Sequence, residues 1–113
     1  MQSSSLKLQD FLLSMGSQSR NTFRGYSVRL KRFDTFVMQS FNIDLDQLIK
    51  KLQDKEIDVY QVLSSFNLAL SKENLSSITR MQLISAANNF ILYNDVDISD
   101  YKFRIKVRMP SKN

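Results

Sequence analysis

Only two glycines and one proline occur among 113 residues. A chain of many short strands needs a turn residue every ~8–12 positions, so this sequence is poorly suited to a sheet. Leu, Ile, Phe, Gln, Lys and Ser dominate instead, and a bundle of helices is expected. The length suits a single domain, and a hydrophobic fraction of 42% is enough for one core.

Helix boundaries can be placed from punctuation and periodicity. In "SSSLKLQDFLLSMG", Ser4 or Ser5 can cap a first helix, Leu8, Phe11, Leu12 and Met15 form its apolar face, and Gly16 ends it. A second helix runs from about Arg20 to Phe41, capped by Ser19 or Asn21. Phe23, Tyr26, Leu30, Phe33 and Val37 recur in it at spacings of 3, 4, 3 and 4, a helical stripe. Asp44 can cap a third helix with Leu45, Leu48, Ile49 and Leu52 inward. Asp58 with Gln61 resembles a capping box ahead of a fourth, with Val59, Val62, Leu63, Phe66 and Leu70 inward. Ser76 or Ser77 opens a fifth, for which Ile78, Met81, Ile84, Ala87, Ile91 and Leu92 are the expected inward face. In "YKFRIKVRM" the period changes: Tyr101, Phe103, Ile105, Val107 and Met109 alternate with Lys102, Arg104, Lys106 and Arg108. A period of two predicts an extended segment with every cation on one side, stopped by Pro110.

Composition narrows the chemistry. The absence of cysteine removes disulfides, thiolate metal sites and cysteine nucleophiles, and fits a reducing cytosol. The absence of histidine removes His-based zinc sites, the Ser–His and Cys–His pairs and the usual general base near neutral pH. Asp44, Asp46, Asp54, Glu56 and Asp58 coincide with helix starts, and capping accounts for them better than catalysis. No glycine loop for phosphate and no metal-ligand spacing occurs, so neither cofactor nor metal is expected. No apolar run approaches the ~20 residues of a membrane span, and "MQSSSLKLQD" is unlike a signal peptide. A soluble cytoplasmic protein without a membrane partner is the expectation.

The net charge of +5 is unevenly spread. Residues 1–41 carry a balance of +4, residues 42–73 and 74–100 carry −2 each, and residues 101–113 carry +5 with no acid. Two basic blocks at opposite ends of a sequence suit an anionic polymer. At 100° per residue, Arg20, Lys31 and Arg24 fall within a strip of about 40° on the second helix, flanked by Ser27 and Thr35, with Arg29 and Arg32 on the other shoulder. Three cations and two hydroxyls on one exposed line can follow a phosphate backbone. "SSITR" adds Ser77, Thr79 and Arg80 at a helix start, where free N–H groups favour anions. Asn88 and Asn89 lie further along, and an asparagine can read adenine in the major groove. Lys102, Arg104, Lys106 and Arg108, followed by "PSKN", form the second basic tract.

The order of these features resembles the core-binding domain of the tyrosine recombinases, the phage-integrase family. "SRNTFRGYSVRLKRFDTFV" is similar to the family pattern S-x-x-T-x-x-x-Y-x-x-x-L-x-x-F-x-x-F at Ser19, Thr22, Tyr26, Leu30, Phe33 and Phe36. "DLDQLIKKLQ" resembles the next family element, and "SSITRMQLISAANNFILYNDVDIS" the helix that closes the domain. "KFRIKVRMPSKN" is similar to the basic linker ahead of the catalytic domain, archaeal members in particular.

The resemblance implies an all-α, four- to five-helix SAM-like bundle over residues 1–100, with an extended basic linker over 101–113 leading to a catalytic domain in cis. It implies that the second and last helices face duplex DNA. Arg20, Thr22, Arg24, Lys31, Ser77, Thr79 and Arg80 are then the candidate contacts, with the linker cations crossing the backbone. An oligomer on DNA and association with the nucleoid follow from the same resemblance. Strand cleavage in the family belongs to a catalytic domain with a tyrosine nucleophile and histidine, so this histidine-free chain is expected to bind and not to cut. Asn88 departs from the family, many members of which have arginine there. The alternative expectation is a helical protein–protein interaction module that pairs its strand-like C-terminal tail with a partner sheet.

Overall fold

A computed structural model describes residues 5–109. It contains six helices: α1 Leu6–Gly16, α2 Arg20–Phe41, α3 Leu45–Gln53, α4 Val59–Ser71, α5 Ser77–Tyr93 and α6 Asp100–Val107. Each starts on a serine or aspartate whose side chain accepts a backbone N–H of the first turn: Ser5, Ser19, Asp44, Asp58, Ser76 and Ser99. Each such cap supplies about 1 kcal/mol, so the boundaries are set locally. The reciprocal capping box forms at Asp44 and Gln47, whereas Asp58 accepts from Tyr60 N at 3.2 Å. Ser4, Pro110 and Lys112 lie outside the described residues.

The chain turns its corners on residues other than glycine. Asn42, Lys55, Asp95 and Arg108 all take the left-handed backbone conformation, with φ between 58° and 65°. Both glycines lie inside helices instead. A Cβ on Gly16 would sit 3.0 Å from the Phe23 ring, so its small size lets α1 and α2 approach. A Cβ on Gly25 would meet only the mobile end of Arg29, at 3.1 Å.

Helix α2 is the pillar of the bundle. Leu30, Phe33 and Val37 on its inner edge are fully enclosed. Its first half joins an aromatic group in which Phe11 meets Tyr26, Phe90 and Tyr93 edge-on, at 5.4, 5.7 and 5.1 Å between centroids. Its second half joins another, with Phe66 of α4 at 5.1 Å from both Phe33 and Phe36. The first group ties α1 and α5 to α2; the second ties α4. Helix α5 sits amid α1, α2 and α4 and buries Leu83, Ile84, Ala86, Ala87, Phe90 and Ile91. This arc is about 160° wide. It is rotated away from the expected face, leaving Ile78 and Leu92 exposed.

The expected extended tail is a helix. A strand over residues 100–107 would leave its backbone groups without partners, since no strand occurs among the described residues. A helix satisfies those groups internally. Strict alternation also contains the i, i+4 pair Phe103 and Val107, which turns inward with Met109 beside it, while Tyr101 and Ile105 turn outward. Helix α4 holds α6 at both ends: Tyr60 Oη accepts from Ser99 N at 2.8 Å, and Asn67 Nδ2 donates to Val107 O at 2.7 Å and Arg108 O at 3.1 Å. Early residues meet early and late meet late, so α4 and α6 run parallel.

Helix α1 is anchored by Asp46, from the first turn of α3. Its carboxylate accepts from the Ser5 hydroxyl, from Leu6 N at 3.2 Å and from Lys7 N at 3.1 Å. Burial pushes the Asp46 carboxyl up, but the Ser5 hydroxyl, the Lys7 and Leu6 N–H groups and the Lys7 charge outweigh it and hold it below the usual carboxylate range. A depressed folded pKa gives stability that is complete above the unfolded value of 3.8 and is lost as the pH falls through the folded value. Asp46→Ala should therefore lower stability by about 1–3 kcal/mol at neutral pH. In urea melts the gap from wild type should close below pH ~3.8. Gly25→Ala should raise stability by about 0.5–1 kcal/mol in the same melts, because Arg29 can swing aside.

Candidate nucleic-acid interface

The strip on α2 is present as a continuous exposed surface. Arg20, Arg24 and Lys31 are all exposed, and none forms an ion pair among the described residues. Asp34, one turn from Lys31, does not neutralise it. The remaining α2 cations are placed differently. Arg32 Nη2 donates to both Glu73 carboxylate oxygens, at 2.6 and 2.7 Å. Arg29 is half-buried, with its guanidinium laid along the helix over Gly25. The inner stripe thus fixes the rotation of α2, and rotation together with the Glu73 pairing decides which cations face out unpaired.

Thr22 and Thr79 have a structural task. Ser19 Oγ accepts from Thr22 N at 3.0 Å while donating to Thr22 Oγ1 at 2.7 Å. Ser76 and Thr79 repeat the arrangement, at 3.1 and 2.9 Å. "SRNT" and "SSIT" are the same hydroxyl-locked helix start, and each threonine keeps a proton to donate. Ser77 is exposed in the first turn of α5. Arg80 is half-buried, with its Nε enclosed and without a hydrogen-bond partner. Asn88 Oδ1 is likewise buried without one, so Asn88 is not presented as an open base reader.

The candidate residues at the starts of α2 and α5 lie toward opposite ends of that helix pair. Asn89 Nδ2 donates to Tyr26 Oη at 2.9 Å, and Arg32 pairs with Glu73 just ahead of α5, so α2 and α5 run antiparallel. Arg20 and Arg24 lie at the first end of α2, whereas Ser77, Thr79 and Arg80 lie about 13–18 Å of helix rise beyond Asn89, toward the other end. The cations of α6 are carried by α4 and do not share one side. Lys102 and Lys106 are one turn apart, with Lys106 Nζ 5.4 Å from the centre of the Tyr60 ring, and Arg104 points away from them by about 160°. Lys102, Arg104, Lys106 and Arg108 are all exposed.

An apolar component of the α2 strip was not expected from sequence. Val28 is 63% and Phe23 37% exposed, and with Arg20, Arg24 and Ser27 they line a shallow depression of about 410 Å³. The signal was available, because at 100° per residue Val28 falls outside the inner stripe and within about 60° of Lys31.

A second depression, of about 500 Å³, lies at the end of the bundle where α3 and α5 finish and α4 starts. Lys55, Asp58, Tyr60, Asp95 and Asp97 line it. The acids have local explanations in part: Asp58 caps α4, while just outside, Asp54 pairs with Lys50 at 3.9 Å and Glu56 with Lys51 at 3.6 Å. Among the described residues no group of three acids, histidines or cysteines could hold a metal ion, and no helix is long and apolar enough to cross a membrane.

Compared with known proteins, the chain matches no family model, no curated protein and no solved structure.

The helical state of residues 100–107 can be tested through its anchor. Asn67→Ala removes both hydrogen bonds to the end of α6. Amide exchange should accelerate at least tenfold over residues 103–107, while α2 and α5 keep their protection.

Proposed function

We propose that this chain is a duplex-DNA-binding module of the kind that forms the core-binding half of a tyrosine recombinase. It grips phosphates and leaves strand cleavage to a catalytic domain in cis. Site-specific integration or excision, assembly of an oligomer on the duplex and association with the nucleoid belong to the same reading.

The observation that carries it is the α2 strip. Three exposed cations on one line of a 22-residue helix, with no acid paired to them among the described residues, repel one another by a few tenths of a kcal/mol per neighbouring pair. An anionic polymer laid along the strip removes that penalty, and release of counterions drives the association. Ser77 at the start of α5 and the Thr79 hydroxyl, whose proton stays available while its N–H is held by Ser76, supply a second, weaker phosphate contact. Lys102, Arg104 and Lys106 on α6, with Arg108 at its C-cap, supply a general cationic flank.

A second reading, as a protein-interaction module, draws on Tyr101 and Ile105, which are 67% and 49% exposed on the outer side of α6. Strand addition through residues 100–107 does not fit this chain, because their backbone groups are engaged in the helix.

Fluorescence anisotropy with a labelled 25-base-pair duplex separates the two. DNA binding predicts micromolar affinity at low salt that weakens linearly on a log–log plot, by about 0.9 per phosphate neutralised. Arg24→Glu with Lys31→Glu should weaken binding more than tenfold and leave the thermal melt unchanged. Lys102→Glu with Lys106→Glu should have a smaller effect. Salt-insensitive binding, or none at low salt, would favour the protein-interaction reading.

A further inference from the structure

The α2 strip is not purely cationic, and its apolar component sits where sequence could be read. Val28 lies between Arg24 and Lys31, four residues after one and three before the other. The two cations are about 10 Å apart along the helix axis. The major groove is ≈ 12 Å wide and admits an α-helix, and Arg24 and Lys31, within about 20° of each other around the axis, can follow the phosphates along one wall of it. Val28, about 40–60° further round the helix, then faces its floor. Phe23 and Val28 are both exposed in the depression that Arg20, Arg24 and Ser27 complete. The thymine C5-methyl is the apolar group that an unmodified duplex offers in that groove.

We propose that Val28 is a specificity-determining residue that packs on the C5-methyl of a pyrimidine in the major groove, giving the strip a preference for thymine. The inference rests on the DNA-binding reading and adds to it a chemical class of target: methyl-bearing pyrimidines, thymine and 5-methylcytosine alike. Phosphate contacts from Arg20, Arg24 and Lys31 position the helix, and Val28 discriminates among sequences of equal charge. The mechanism needs no side-chain hydrogen bond to a base, so it holds whichever partners Asn88 and Asn89 keep.

The test compares two 20-base-pair duplexes, alternating d(AT) and alternating d(AU), which carry the same phosphates and differ in the C5-methyl. Wild type should bind the thymine duplex about three- to fourfold more tightly per methyl contacted. Val28→Ser should bind the uracil duplex as wild type does and bind both duplexes equally. Because Val28 is exposed, this variant should keep the wild-type circular dichroism and melting temperature. Replacing cytosine by 5-methylcytosine in a d(GC) duplex should strengthen wild-type binding and leave Val28→Ser unaffected. Equal wild-type affinity for d(AT) and d(AU) overturns the role of Val28 while the DNA-binding reading stands. A preference that persists in Val28→Ser overturns it too, since the difference then lies in duplex shape. Failure to bind either duplex at low salt overturns the underlying reading together with this one.

Discussion

The enclosed edge of α2 is the constraint from which the rest of this structure follows. Leu30, Phe33 and Val37 have no accessible surface, and the aromatic groups to either side fasten α1, α4 and α5 to the same helix. A helix gripped along its inner edge over several turns cannot rotate without breaking both groups. Its outward cations are therefore held at fixed azimuth and spacing by groups they never touch. The burial of large apolar side chains, each contributing roughly 1.5–3 kcal/mol, is what orients Arg20, Arg24 and Lys31.

Much of this was legible in the sequence because it is decided locally. Ser19, Asp44, Asp58 and Ser76 close their helices with their own side chains, so a serine or aspartate ahead of an apolar period suffices to place the boundary. The inner sets of α3 and α4 follow from spacing alone. Legibility fails where the decision belongs to distant parts of the chain. The face of α5 is set by neighbours on several sides, which makes the buried arc too wide for a simple stripe to find. Helix α6 defeats period counting because a strict alternation also contains i, i+4 pairs, and the choice falls to α4, through Tyr60 and Asn67. The candidate interface divides in the same way. Arg20, Arg24 and Lys31 could be read from the wheel, whereas the pairing of Arg32 with Glu73, 41 positions away, could not.

Helices α4 and α6 lie parallel, so their dipoles align unfavourably side by side. Three features offset this: the two hydrogen bonds from Asn67, the Lys106 ammonium over Tyr60, and the burial of Val107 and Phe103. The Asn67 amide meets α6 at its carbonyl end, where the local charge is negative and an N–H donor is favourable. The same end carries Arg104, Lys106 and the cap residue Arg108, which act in the same sense. Arg104, Lys106 and Arg108 therefore stabilise the helix end they occupy.

The four left-handed corners hold a reserve of stability. Asn42 and Asp95 are residue types that tolerate this backbone, but Lys55 and Arg108 hold it against their Cβ, at a cost of about 1 kcal/mol each. The fold meets that cost from its core and still closes. Strain of this kind is dormant tolerance. A chain that could relax two corners by single substitutions has room to accumulate destabilising changes elsewhere without unfolding.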